Sequence, residues 1–267
     1  MPEPPFTKPL GLSFIELQSV DSTNNYARQL IYEGLAQHGT IIFAHDQVAG
    51  KGQRNKVWTS EKAANIVLSI LIKPQPLLLT EQFQLSACAA VAVQEFFMKY
   101  AGDESKIKWP NDLYWQDRKA GGILIESVVR SSESGVGNQE SVAATAGQWD
   151  WAIVGIGINI NQTSFPDDLP NPVSLKQITG KNFDAVALAK ELCALLNEKF
   201  AELLNHGFEN IYSRYLLHLY KRNATVKLKK GSRVFEAMIK EVNTSGQLVV
   251  QHSIEEIFDF GNVEWVI

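Results

Sequence analysis

The sequence predicts an α/β chain that ends in a small β-barrel. Three observations predict it. Apolar runs of strand length recur from Phe14 to Ile160. Apolar residues at helical spacing fall between and after them, as in Thr80–Tyr100. From about Arg222 the pattern changes to short strands separated by turn signals.

The elements follow in order. Residues 1–10 carry four prolines and read as a loose lead-in. Phe14–Leu17 is a strand. Ser22 or Thr23 is then placed to cap a helix whose apolar residues are Tyr26, Ala27, Leu30 and Ile31, with Gly34 as its stop. Thr40–Ala44 is β-branched and aromatic, hence a strand, and a polar Gly-rich loop runs from Asp46 to Ser60. Ile66–Ile72 is a strand ended by Lys73-Pro74. Thr80–Tyr100 is a buried helix carrying Phe83, Ala87, Cys88, Val91 and Phe96. Ile107-Lys108-Trp109 is extended, because Pro110 biases Trp109 away from helix. Gly122–Val129 and Trp151–Ile160 are strands, joined by a Ser- and Gly-rich loop over 131–147 that reads as mobile. Asp184 caps a helix with Leu188, Leu192, Leu195, Phe200 and Leu203 on one face; Phe208, Ile211, Tyr215, Leu216 and Leu219 mark a second. Thr225–Leu228, Val234–Ile239, Leu248–Gln251 and Ile257–Phe260 are short strands, with turns at Lys230-Gly231 and Ser245-Gly246. The expected division is 1–221 and 222–267.

Composition excludes several classes. The chain has 267 residues, enough for one large domain plus an appendage. Net charge is −4 and the pI about 5.8, so no global basic field draws it to nucleic acid or anionic lipid. Two cysteines make no disulfide framework and fit a reducing, cytoplasmic setting. The longest apolar runs, 66–72 and 152–158, are far short of the ~20 residues a membrane helix needs. Cys88 and Cys193 lie on apolar helix faces, as core residues do, and the five histidines show no metal-ligand spacing. The basic stretch Lys221–Arg233 reads as a solvated face.

Four segments are more polar or more Gly-rich than their flanks require. Ser22-Thr23-Asn24 sits at a strand-to-helix junction, where capping or ligand binding would each use the exposed groups. In the segment from Gln47 to Trp58, Gly50 and Gly52 flank Lys51, and Gln53, Arg54 and Lys56 follow; such a loop either cradles an anion or is simply solvated. It is not a P-loop, since the Gly-x4-Gly-Lys-Ser/Thr spacing is missing. Lys108-Trp109-Pro110-Asn111-Asp112 is a turn that also presents an amide and a carboxylate, with Lys119 following beside Gly121-Gly122. Gly155-Ile156-Gly157-Ile158-Asn159 lacks the third glycine of a dinucleotide fingerprint; its glycines mark close approach by a ligand or by another backbone.

In this order and spacing, the segments resemble the biotin–protein ligases, the biotin–[acetyl-CoA-carboxylase] ligase family. The motifs are Ser-Thr-Asn, Gln-x-Ala-Gly-Lys-Gly-x-Arg-x-x-x-Trp, Lys-Trp-Pro-Asn-Asp, Lys-x-x-Gly-Ile-Leu-x-Glu and Gly-Ile-Gly-Ile-Asn, and the likeness runs from about Leu12 to the C-terminus. It implies a mixed sheet backed by helices, related to class II aminoacyl-tRNA synthetases, and an SH3-like barrel. With Ser-Thr-Asn at 22–24, it also implies a short form without the helix-turn-helix repressor domain of some members.

The implied reaction has two halves. Biotin's carboxylate attacks the α-phosphate of ATP to give biotinyl-5′-AMP and pyrophosphate, and a lysine of a biotin carboxyl carrier protein then displaces AMP. Bringing two anions together calls for cations and Mg²⁺, and positioning supplies much of the acceleration. The resemblance assigns Ser22, Thr23, Asn24, Gln47, Gly50, Lys51, Gly52, Gln53, Lys119 and Gly155 to biotin and the adenylate. It assigns Arg54, Trp58, Lys108, Asn111, Gly157 and Asn159 to ATP. Lys119, Lys51, Arg54 and Asp112 are the implied catalytic set, with Asp112 either handling the incoming lysine or binding Mg²⁺. The loop departs from the family's Gly-Arg-Gly-Arg-Arg-Gly: Lys51, Gln53 and Asn55 replace Arg, Arg and Gly, which removes a bidentate fork and a charge. Rival readings are a lipoate– or octanoate–protein ligase of the same superfold and a non-catalytic biotin-binding protein. A homodimer through a sheet edge is compatible with the family fold.

Overall fold

The computed structural model describes residues 9–11, 13–130 and 148–266. Most of the expected lead-in and the loop at 131–147 lie outside these residues. Seven strands form one mixed sheet in the order β1-β2-β3-β7-β6-β5-β4. They are β1 (Phe14–Leu17), β2 (Ile41–Ala44), β3 (Ile66–Ile72), β4 (Ser105–Lys108), β5 (Asp112–Trp115), β6 (Arg118–Arg130) and β7 (Gln148–Ile158). β1 and β2 pair in parallel and every other neighbour is antiparallel.

Period-two alternation assigns the two faces of the sheet. Ile66, Leu68, Ile70 and Ile72 of β3, with Ala152, Val154, Ile156 and Ile158 of β7, join the main core. Helices α2 (Gln82–Ala101), α4 (Ala185–His206) and α5 (Glu209–Leu217) cover that face. Asp184 caps α4 as expected, its carboxylate accepting from Val186 N at 2.9 Å and Ala187 N at 3.0 Å. The opposite face carries α1 (Thr23–Tyr32), whose Ala27 packs with Ile42, Leu71, Trp151 and Ile153. Both cysteines are buried, and burial pushes each thiol up to about 12, as core residues require.

Three elements escape the sequence reading. β5 is only four residues long, too short to show a period, and follows directly on the Trp109–Asn111 turn. α3 (Leu175–Thr179) is a single capped turn in which Ser174 accepts from Gln177 N. β12 (Glu264–Trp265) has two residues. The remaining strands, β8 (Thr225–Lys230), β9 (Arg233–Val242), β10 (Leu248–Gln251) and β11 (Glu255–Phe258), join β12 in an antiparallel sheet of order β11-β10-β9-β8-β12. That sheet is consistent with an SH3-like unit. Its fourth strand lies slightly earlier than expected, which frees Phe260 to pack outside it.

Candidate functional site

The face of the sheet opposite the large helices holds a cavity of about 720 Å³. Strand register builds its floor, because residues directly opposite one another on paired strands share a face. One row runs Val67–Gly157–Gly122–Asp112–Lys108 across five strands. The neighbouring row is Ser69–Gly155–Leu124.

Asn24 from α1 lies on Gly155. A Cβ there would stand 2.4 Å from Asn24 Oδ1, so glycine is required for the approach. Ser69 Oγ is 2.6 Å from Asn24 Oδ1 and 2.7 Å from Thr23 Oγ1, two acceptors within reach of one hydroxyl hydrogen. Asn24 Nδ2 donates to Glu126 at 2.7 Å, and Arg28 holds the other Glu126 oxygen at 2.8 Å. The expected capping by Ser22 or Thr23 is corrected here. Ser22 occupies the cap position but its side chain makes no capping bond. Gln47 from the Gly-rich loop does that work: its Oε1 accepts from Thr23 N at 2.9 Å and from Thr23 Oγ1 at 3.2 Å. The free amide of a helix's first turn is thus satisfied from outside the helix.

Trp58 lies on Gly157, where a Cβ would come within 2.5–2.9 Å of the indole. The glycines of β7 therefore admit two side chains of this chain, neither of the partners expected. Between Gly50 and Trp58 the loop folds back on itself, Trp58 N donating to Gly50 O at 2.9 Å and Gly52 N to Lys56 O at 2.7 Å. Gly50 stands apart from the other residues of this loop. It is absent from the cavity wall, and a Cβ there would lie 2.2 Å from Trp58 O and 2.4 Å from Gln47 Nε2. It closes the loop against Trp58 and Gln47. The left-handed residue of this loop is Arg54, with φ 56°, and not Asn55, where the family pattern has glycine. The Arg54 guanidinium lies 6.0 Å from the Phe260 ring.

Lys119 enters from the start of β6, and its Nζ pairs with Asp112 Oδ1 at 2.6 Å. Its backbone is held on the other side too, N donating to Asn171 O at 2.8 Å and O accepting from Val173 N at 2.9 Å. Asn111 is bound to Ile123, Nδ2 donating to Ile123 O, and Asn159 Nδ2 donates to Val173 O at 3.1 Å. Lys108 is buried beneath Tyr114, Tyr220 and Trp265. Burial takes its ammonium down to about 8; Lys119 and Lys56 act the same way, and Asp112 and Asp117 oppose them. Among the described residues no cluster of three His, Cys, Asp or Glu side chains exists to hold a metal. One Asp112 oxygen, Oδ1, is taken by Lys119.

All the residues named from the sequence line this cavity except Gly50. The sequence reading missed Tyr114, Phe165, Leu169, Val263 and Trp265 in its wall, and Ser69 behind it; Glu126, also behind it, closes the Lys-x-x-Gly-Ile-Leu-x-Glu motif but was given no role. Ser69 alone carried a signal, as a polar residue interrupting a buried apolar run. The indole Nε1 atoms of Trp58 and Trp265 are buried donors with no partner among the described residues. The cavity thus joins neutral hydrogen-bonding groups beside one row to Lys108 at the end of the next, with Lys119 paired to Asp112 of that row.

The Biotin/lipoate A/B protein ligase family profile matches residues 16–136. The bifunctional ligase/repressor BirA of Bacillus spizizenii is 32% identical over 258 residues, spanning 94% of this chain and 74% of that protein. The biotin–[acetyl-CoA-carboxylase] ligase of Paracoccus denitrificans is 28% identical, spanning 88% of this chain and 92% of that one. The structure of a biotin protein ligase from Aquifex aeolicus in complex with biotin and ATP aligns with a TM-score of 0.76 at 23% identity, over 96% of this chain and all of the other, a likeness of fold. These relationships define a ligase built on a mixed α/β sheet. The chain belongs to the biotin–protein ligase family. Among the described residues no helix is long and apolar enough to cross a membrane.

Proposed function

We propose that this chain joins biotin to ATP, forming biotinyl-5′-AMP and pyrophosphate, and then passes the biotinyl group to a lysine of a biotin carboxyl carrier protein. The observation that carries the reading is the pair of adjacent rows in one cavity. The Thr23, Asn24, Ser69 and Gln47 network offers neutral donors and acceptors suited to an uncharged head group. The Gly157–Lys108 row, with Lys119, Lys51 and Arg54 near it, offers cations for a carboxylate and phosphates. Lys119 and Lys51 hold the carboxylate and developing adenylate, Arg54 and Lys108 face the phosphates, and Trp58 packs near the adenine. Asn111, Gly157 and Asn159 complete the nucleotide wall. Ser22, Gly52 and Gln53 border the biotin side. Asp112 orients Lys119 and is placed to receive the carrier lysine. Mg²⁺ belongs to the nucleotide substrate in this account, screening its phosphates.

The division into a catalytic part, 1–221, and a barrel, 222–267, is supported by Arg222 and Asn223, where the chain first joins β9: Asn223 N donates to Ile239 O at 2.7 Å. A cytoplasmic setting for the protein and its carrier is supported by its two free, buried thiols.

The test is transfer of labelled biotin to a purified carrier domain with ATP and Mg²⁺. Labelling of the carrier lysine that needs all three is the expected result. Labelling with lipoate and not biotin would move the protein to the lipoate branch. Biotin binding without pyrophosphate release would make it a binding protein.

Lys108 gives this reading a pH signature. Its ammonium, at about 8 against an ordinary 10.5, is charged at pH 7 and largely neutral at pH 9. The KM for ATP is expected to rise several-fold between pH 7 and 9, and Lys108→Arg, which stays charged, to flatten that rise. A wild-type KM that stays constant over the interval removes Lys108 from the phosphate site.

A further inference from the structure

We propose that Trp265, from the last strand of the C-terminal sheet, is a positioning residue that holds the Lys108 ammonium toward the cavity for the nucleotide phosphates. The inference rests on the function proposed above. Lys108 is 5% exposed, yet among the described residues it has no carboxylate partner. Its Nζ lies 4.4 Å from the Tyr114 ring centre, 5.1 Å from that of Trp265 and 5.9 Å from that of Tyr220. Among the described residues its one hydrogen bond is to Tyr114 Oη at 3.0 Å, which uses one of three ammonium hydrogens.

A cage of aromatic faces does what a carboxylate would not. It replaces part of the lost hydration through the ring quadrupoles but leaves the net positive charge intact. An anion in the cavity then meets a cation that is buried, in no ion pair among the described residues, and still has hydrogens to donate.

The cage is assembled from three places. Tyr114 is on β5, Tyr220 follows α5, and Trp265 is on β12. Tyr220 is fixed by its hydroxyl donating to Asp117 at 2.7 Å, and its ring lies 5.7 Å from that of Trp265. Trp265 is itself held by pairing with Leu228 of β8. The C-terminal sheet also grips the next residue, Trp109, whose Nε1 donates to Gly246 O at 2.9 Å. The position of Lys108 is therefore set in part by a sheet that begins more than a hundred residues later in the chain.

The experiment is biotin-dependent ATP–pyrophosphate exchange, with the KM for each substrate measured separately. Trp265→Leu is expected to raise the KM for ATP about tenfold and to leave the KM for biotin within twofold. Trp265→Phe, which restores an aromatic face, is expected to recover most of that loss. An unchanged ATP KM in Trp265→Leu overturns the proposal. So does an equal rise for both substrates, which would mark a merely structural role, or a Phe variant no better than Leu. Wild-type protein without exchange activity would instead overturn the function proposed above, so the two failures are distinguishable.

Discussion

Lys119→Ala is expected to lose biotin-dependent ATP–pyrophosphate exchange by a factor of about 10²–10³, the scale of removing one preorganised charge from a transition state. The strand survives the change, because Lys119 is anchored through its backbone to Asn171 and Val173. What is lost is more than attraction. Asp112, 2.6 Å from Lys119 Nζ, is left as an unpaired negative charge in a cavity that must accept a carboxylate and a triphosphate. Exchange and thermal melting measured on the same preparation separate catalysis from folding. Normal adenylate formation by the alanine variant would remove Lys119 from the assigned role. Asp112→Asn sorts the remaining ambiguity. If Asp112 receives the carrier lysine, transfer from preformed biotinyl-5′-AMP slows by more than tenfold in that variant; an unaffected transfer rate confines Asp112 to orienting Lys119.

Gly155→Ala is the second large effect. The new methyl would stand 2.4 Å from Asn24 Oδ1 and 3.1 Å from its Cγ. Asn24 has no room to withdraw without cost, since Nδ2 is bound to Glu126 at 2.7 Å and Oδ1 lies 2.6 Å from Ser69 Oγ. Displacing it breaks a buried network in which one bond runs to a charged group, worth about 1.5–3 kcal/mol. The KM for biotin is expected to rise about 10- to 100-fold, with the KM for ATP changed less than threefold. Isothermal titration with biotin alone gives the same comparison without turnover. Unaltered biotin affinity would show that Asn24 is structural only.

These two positions also show how unevenly the site was written in the chain. Lys119 could be named from a motif, because its neighbours in sequence, Gly121 and Gly122, are also its neighbours in space. Gly155 could be named, but its purpose could not. Whether a strand glycine admits a ligand, a backbone or a side chain depends on what crosses it, and Asn24 lies far away in sequence. Gly50 shows the converse: it belongs to the motif yet serves the closure of its own loop against Trp58 and Gln47.

Local pattern determined the elements. The apolar run Ile66–Ile72, the helical spacing of 82–101 and 185–206, the Asp184 cap and the turns at Gly231 and Gly246 are all set by residues a few positions apart. So are the motifs that mark the family. Tertiary structure alone decided three things: the register that puts Gly157, Gly122, Asp112 and Lys108 in one row, the capping of α1 by Gln47, and the reach of Trp265 into the cavity. The physical reason is common to them. A one-residue slip in any strand would turn its side chains to the opposite face, and the slip is prevented only by burial against helices elsewhere in the chain. Hydrogen bonds and ring contacts between distant segments form only after that register is set.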